Sequence, residues 1–180
     1  MIDRAILRLS PLSLIYQGRY DEAHEACKQE MMKSLKSGNS AALAKAYSTM
    51  GTALWRLGQL EPAMDALTTA SELCLESDLE LHGEILNAMG VVYELQGKYS
   101  DSLELYQKAL DIRIRCCGNS HASVATTEMN IGNLLRAQGD YENALVHLQW
   151  ALDINLKCFG PSHASDDACV IPQAVPQAVP

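Results

Sequence analysis

Basic residues are too scarce in this chain for a phosphate-binding surface. Fourteen Lys and Arg stand against 22 Asp and Glu, a formal charge of −8 with an isoelectric point near 5.0, whereas non-specific nucleic-acid binding draws on clustered positive charge. No stretch approaches the roughly 18 apolar residues that a membrane-spanning helix requires. The opening segment carries charges inside its apolar run and so lacks the uninterrupted core of a secretory signal. There is no Cys-x-x-Cys, no His-x-x-x-His and no glycine-rich phosphate loop. These absences argue against nucleic acid, membrane, metal and cofactor, and the expectation is a soluble, cytoplasmic protein. The six cysteines, Cys27, Cys74, Cys116, Cys117, Cys158 and Cys169, sit within or just after apolar-periodic stretches rather than framing loops. That placement predicts reduced, mostly packed thiols.

What the chain does have is a composition that folds, with 48% hydrophobic and 20% charged residues over 180 positions, and an internal repeat. Gly-Asn-Ser-His-Ala-Ser at 118–123 recurs as Gly-Pro-Ser-His-Ala-Ser at 160–165, and the same offset carries Gly90 to Gly132, Gly97 to Gly139, Tyr99 to Tyr141, Ala109 to Ala151 and Cys116 to Cys158. Extended backwards at a slightly shorter offset, Gly97 answers Gly58 and Gly58 answers Gly18. Four units result, at about 1–38, 39–78, 79–120 and 121–165, followed by a Pro/Ala/Val/Gln tail at 166–180 that reads as extended or disordered.

Each unit reads as two amphipathic helices about a glycine turn, with apolar spacing of 3–4 rather than 2. Gly18, Gly58, Gly97 and Gly139 are placed to end the first helix in a left-handed conformation. Gly51, Gly90 and Gly132 lie inside helices, where glycine costs about 1 kcal/mol relative to alanine, so close packing is the expected compensation. Ala23, Ala63, Ser102 and Ala144, then Ala70, Ala109 and Ala151, supply small residues for helix approach, and Glu30 breaks the second series. In the third unit Leu103, Tyr106, Leu110 and Arg113 share a stripe on which all but Arg113 are expected to face a partner helix. Pro11, where the first unit should have its helical glycine, predicts a kink or a late start.

The order small/Gly, Gly, aromatic, small, Ala at these offsets resembles the tetratricopeptide repeat, in the longer 40–42-residue form of kinesin light chains, nephrocystin-like proteins and Pins-type signalling modulators. The resemblance covers about residues 1–165. It implies an all-α, right-handed superhelical stack of about four helix-turn-helix repeats, with an irregular C-terminal tail. It further implies that first helices line a concave face along which equivalent residues form rows: Arg8, Ser48, Asn87 and Met129; Leu12, Thr52, Val91 and Asn133; Ile15, Trp55, Glu94 and Arg136. Lys45 and Arg56 border the same groove. Such a mixture suits an extended peptide, held by amides along its backbone and by a few anchors.

Alternatives accompany these residues. Trp55 is either an anchor for a ligand or a cover for its neighbouring helix; Glu94 and Arg136 either meet a ligand or pair with each other; Asn87 and Asn133 either hold a peptide backbone or are solvated. Trp150 either packs on the tail or stands exposed where a fifth unit would sit. The family's carboxylate-clamp set is incomplete here, so no such clamp is expected. His121 and His163 recur through duplication and mark helix starts; Cys158, His163 and Cys169 lack metal-ligand spacing, and Cys116 and Cys117 lack an adjacent base. Glu128 replaces the Tyr47 and Leu86 of earlier units. No further unit follows Ser165, which fits a truncated form, part of a longer array, or self-association through an open end. The sequence therefore predicts a non-catalytic scaffold or adaptor that binds a protein or peptide segment, with self-assembly through the last unit as the rival reading and a tail folded into the groove as a variant.

Overall fold

The computed structural model describes residues 9–160, and among these every regular element is helical. Eight helices follow one another: α1 (Pro11–Tyr16), α2 (Tyr20–Ser37), α3 (Ser40–Arg56), α4 (Leu60–Leu73), α5 (Leu79–Leu95), α6 (Tyr99–Cys117), α7 (Ala122–Ala137) and α8 (Tyr141–Phe159). The starts follow capping chemistry. The side chains of Ser10, Asn39, Asp78 and Asp140 accept from the backbone N–H of Ser13, Ala42, Leu81 and Asn143, satisfying a donor that has no partner inside the helix. Pro11 takes the first helical position of α1 behind the Ser10 cap, where its missing N–H is not needed. The late start is therefore the outcome. His121 caps α7: its Nδ1 accepts from the Ser123 N–H at 3.2 Å, a structural duty for a histidine that recurs by duplication. His163 and the tail lie outside the described residues.

Within each pair the first helix turns into the second through the short links 17–19, 57–59, 96–98 and 138–140. The central residue is glycine with φ between 72° and 86°, and the next N–H reaches back over the last turn of the helix, as Lys98 N does to Tyr93 O at 2.9 Å. This closure satisfies an orphan carbonyl and sets the two helices antiparallel. The helical glycines sit where the helices of a pair meet. A Cβ on Gly90 would fall 2.6 Å from Cε1 of Tyr106, on Gly51 2.6 Å from Cγ of Leu67, and on Gly132 2.7 Å from Cγ of Leu148. Ala23, Ala63, Ser102 and Ala144 are all buried from the opposite side, and Ser102 Oγ donates to Gly90 O at 2.8 Å.

First helices pack on their own partners, on the second helix of the unit before, and on each other, α1 with α3, α3 with α5, α5 with α7. Second helices have no comparable mutual contact, so they spread into an outer layer and the stack curves with α1, α3, α5 and α7 on its inside. The core is divided into clusters along the stack, one around Met50, Leu54, Leu67 and Val92, another around Tyr106, Ile131 and Leu134. Each fully buried Leu or Ile in them contributes about 1.5–3 kcal/mol.

Two expectations need correction. Arg113 does face a neighbouring helix: it is 8% exposed, and its Nη1 donates to Ser123 O at 2.8 Å and Thr127 Oγ1 at 2.6 Å, so a long cation finds enough acceptors to cross the α6/α7 seam. The thiols are less packed than expected. Cys27 is buried, and burial, with Glu30 nearby, pushes its thiol up to about 12, but Cys116 and Cys158 are exposed. Glu128, which replaces the Tyr47 and Leu86 of earlier units, finds a partner. It is 2% exposed and lies 2.6 Å from Nδ1 of His147, where the preceding unit has Leu86 and Leu105. Two positions that are leucine in the preceding unit thus carry a carboxyl–imidazole pair here.

Candidate functional site

The inner face is formed by α3, α5 and α7, and the three rows read from the sequence fall on those helices in register. Ser48, Thr52 and Trp55 lie on α3, Asn87, Val91 and Glu94 on α5, Met129, Asn133 and Arg136 on α7; of the α1 members, Leu12 and Ile15 are described and Arg8 is not. Their environments differ sharply. Ser48 is completely buried, and its Oγ has no hydrogen-bond partner; it lies beneath the face rather than on it. Thr52 turns its hydroxyl back to Ser48 O at 3.2 Å. Val91 is drawn into the Tyr106–Ile131 cluster and Met129 into the Val124–Ile154 cluster.

The polar members engage neighbouring helices. Asn87 Oδ1 accepts from Asn130 Nδ2 at 3.0 Å, which links the inner helices of the third and fourth units. Glu94 Oε2 accepts from the Tyr106 hydroxyl at 2.8 Å, and Arg136, exposed above it, acts on Glu94 through its charge only. Burial holds the Glu94 carboxyl above the ordinary range, with the Tyr106 hydrogen bond and Arg136 pulling it back. Burial, followed by the Glu94 charge, pushes the Tyr106 hydroxyl up in turn, so Tyr106 remains a donor. Asn133 is half-buried on the same face.

Trp55 combines both of its readings. Its ring packs against the cluster holding Leu54, Ala88 and Val92, which covers the neighbouring helix, while the guanidinium of Arg56 lies 4.3 Å from the ring centroid, within cation–π range. The indole Nε1 and Arg56 Nε are both buried without a hydrogen-bond partner. Two donors on adjacent residues in the last turn of α3 are thus buried and left unsatisfied, a costly arrangement at about 1–3 kcal/mol each.

Farther along the same face, the N-terminal ends of α3 and α5 enclose a cavity of about 340 Å³ lined by Asn39, Lys45, Asp78, Glu80, Leu81 and Glu84, with Ala41 and Ala42. Of these only Lys45 was legible as a groove residue. Glu84 stands to Lys45, and Asp78 to Asn39, as Gly97 stands to Gly58, so the repeat register itself was the signal. Burial raises the Glu84 carboxyl above its ordinary range, partly offset by Lys45 and then Arg113. Among the described residues no group of His, Cys, Asp and Glu side chains is arranged to hold a metal ion. No helix among them is long and apolar enough to cross a membrane.

Comparison with known proteins accords with this geometry. Two family models described as tetratricopeptide repeat match residues 48–115 and 82–157, and the chain belongs to the tetratricopeptide-repeat family. A search of curated protein sequences gives no match. Among solved structures, the crystal structure of MamA is similar at a TM-score of 0.56 and 21% identity, over 84% of this chain and 77% of that one. BtubC (BKLC) from P. vanneervenii is similar at 0.65 and 17%, over 78% and 59%. The nearly identical TPR-like repeats of a putative kinesin light chain from Podosopora anserina are similar at 0.62 and 18%, over 86% and 75%. At these identities the likeness is one of fold, an all-α helical repeat stack of the kind kinesin light chain-like repeats build. Proteins of this family serve generally as protein-interaction scaffolds.

Proposed function

We propose that the chain is a non-catalytic, cytoplasmic adaptor that holds an extended peptide segment of another protein along the inner face of α3, α5 and α7. The observation that carries this reading is the pair of buried, unsatisfied donors, Trp55 Nε1 and Arg56 Nε, beside a half-buried aromatic ring. A peptide carbonyl reaching the inner face at Trp55 would satisfy one of them, and an apolar side chain against the indole would supply the anchor. Asn133 and Arg136 continue the same face farther along the stack. The acidic lining of the α3/α5 cavity favours a basic over an acidic side chain at that end of the peptide, because a cation there lowers the cost of keeping Glu84 charged.

The test is an array of extended peptides probed with the purified whole chain, with hits titrated calorimetrically against wild type and Trp55→Ala. Truncating an interface anchor of this kind costs about 2 kcal/mol, or roughly 30-fold in affinity. Hits whose affinity is unchanged by both Trp55→Ala and Asn133→Ala would remove the inner face as the binding surface.

A further inference from the structure

The last two residues of α6 are both cysteines with free thiols. Cys116 is exposed and Cys117 partly so, and their sulfurs lie 3.2 Å apart. The pair is not a product of the repeat. Cys158 answers Cys116 in the fourth unit, but Phe159 stands where Cys117 does, and the second unit has Ser77 and Asp78 at these places. Gly118, with φ at 82°, closes the helix just beyond, its N–H donating to Ile114 O at 2.9 Å. The backbone under the two thiols is therefore held helical up to Cys117.

We propose that Cys116 and Cys117 form a dithiol site for a monosubstituted trivalent arsenical, R–As(OH)2, with both sulfurs closing on one arsenic atom. Each sulfur forms a bond to arsenic, each As–O bond breaks, and each hydroxide leaves with a thiol proton as water. Arsenic stays trivalent throughout, so the step needs no oxidant or reductant.

Three features select this class of ligand. First, the span fits. Two bonds to sulfur of about 2.3 Å that meet near a right angle, as at pyramidal arsenic, separate the sulfurs by about 3.3 Å, whereas a tetrahedral zinc ion spreads them to about 3.8 Å and takes two further ligands. Among the described residues no set of three His, Cys, Asp or Glu side chains is placed to hold a metal, and Cys158 directs its thiol to Ser120 O at 3.0 Å. Second, a direct disulfide is opposed. Neighbouring Cα atoms are about 3.8 Å apart, short of the roughly 4.4–6.8 Å that disulfides span, so that bond would require the end of α6 to distort, while an intervening atom does not. Third, the surroundings favour an uncharged reagent. The hydrogen bond with Cys117 raises the Cys116 thiol, and the charges of Cys117, Glu80 and Asp78 add to it; the C-terminal end of a helix acts with the same sign. This negative field repels anionic thiol reagents such as glutathione disulfide and leaves a neutral organoarsenous acid unaffected. Because the second thiol reacts within the same chain, retention exceeds that of a single thiol by roughly 10²–10⁴. The site is separate from the inner face and does not rest on peptide binding there.

The reduced whole chain, treated with one equivalent of phenylarsine oxide and then with excess glutathione, tests the proposal by intact mass. The expected product carries one phenylarsenic group less two hydrogens, keeps it against the monothiol and releases it to dithiothreitol. Tryptic peptide 116–136, whose only cysteines are Cys116 and Cys117, is expected to carry the group. Cys116→Ser and Cys117→Ser are each expected to lower retention by about 100-fold with helical circular dichroism unchanged, and Cys158→Ser and Cys169→Ser to leave it as in wild type. Stripping of the wild-type adduct by glutathione, an adduct on any other peptide, or full retention in either serine variant of the pair would overturn the proposal. So would equal protection of both thiols by zinc ion, which would make the site one for metals at large.

Discussion

Replacing Gly90 by alanine sets two effects of known sign against each other. In an open helix the change is favourable by about 1 kcal/mol, because alanine restricts the unfolded chain and suits the helix. Here the new Cβ falls 2.6 Å from Cε1 and 2.7 Å from Cδ1 of Tyr106, about 1 Å inside ordinary carbon–carbon contact. The ring cannot step aside: it is fully buried, and its hydroxyl is tied to Glu94 at 2.8 Å. Separating α5 from α6 would also disturb the 2.8 Å bond from Ser102 Oγ to Gly90 O. Overpacking of this severity costs about 3 kcal/mol, leaving a net loss of about 2 kcal/mol, or roughly 4–8 °C in Tm for a domain of this size. Thermal and urea unfolding monitored by circular dichroism would measure it. Gly132→Ala is the internal comparison: Leu148 there is half-buried and can swing outward, so its loss is expected to be smaller. If the clash is the cause, Gly90→Ala and Tyr106→Leu couple by about 1 kcal/mol or more in a double-mutant cycle, the smaller side chain making room for the methyl. A Gly90→Ala protein as stable as wild type would refute the close-approach account of these glycines.

Further outcomes follow from the same structure. His147→Leu leaves the Glu128 carboxyl buried without its partner and is expected to cost about 2–3 kcal/mol in urea unfolding, while Glu128→Leu with His147→Leu, which copies the preceding unit, returns stability to wild type or above; equal losses in the single and double variants would refute this. Gly97→Ala at φ +75° meets no neighbouring atom, so its cost of about 1–2 kcal/mol is purely conformational, and Gly97→Asn should recover part of it. The buried Glu84 carboxyl titrates above its unfolded value. In that window the folded state binds the extra proton, so this group's contribution to stability falls as pH rises through it. Glu84→Gln is thus expected to have a Tm at pH 7 equal to or above wild type, with the difference shrinking as the pH is lowered through the ordinary glutamate range; a difference that grows on acidification would reverse the assignment.

The sequence by itself determined the architecture, because repetition makes each local signal count several times. One positive-φ glycine is ambiguous, but four at matching offsets, each followed two places on by Tyr or Leu, specify a helix hairpin and its register. The rows along α3, α5 and α7 follow from that register without coordinates, since equivalent residues of a stacked repeat must align. What the register could not give is depth. Ser48 and Thr52 share a face with Trp55, yet one is wholly buried and the other spends its hydroxyl on its own helix, because burial depends on how closely the next helix approaches. Arg113 and Glu128 read as exceptions to an apolar pattern until the acceptors of α7 and the imidazole of His147 were in place around them. Partners of this sort lie on a different helix from the residue they satisfy, and hydrogen-bond geometry selects them where spacing does not. The apolar spacing of α8 was likewise written in the sequence as a repeat of α6, but whether such a stripe is core or surface is decided only by what is packed against it.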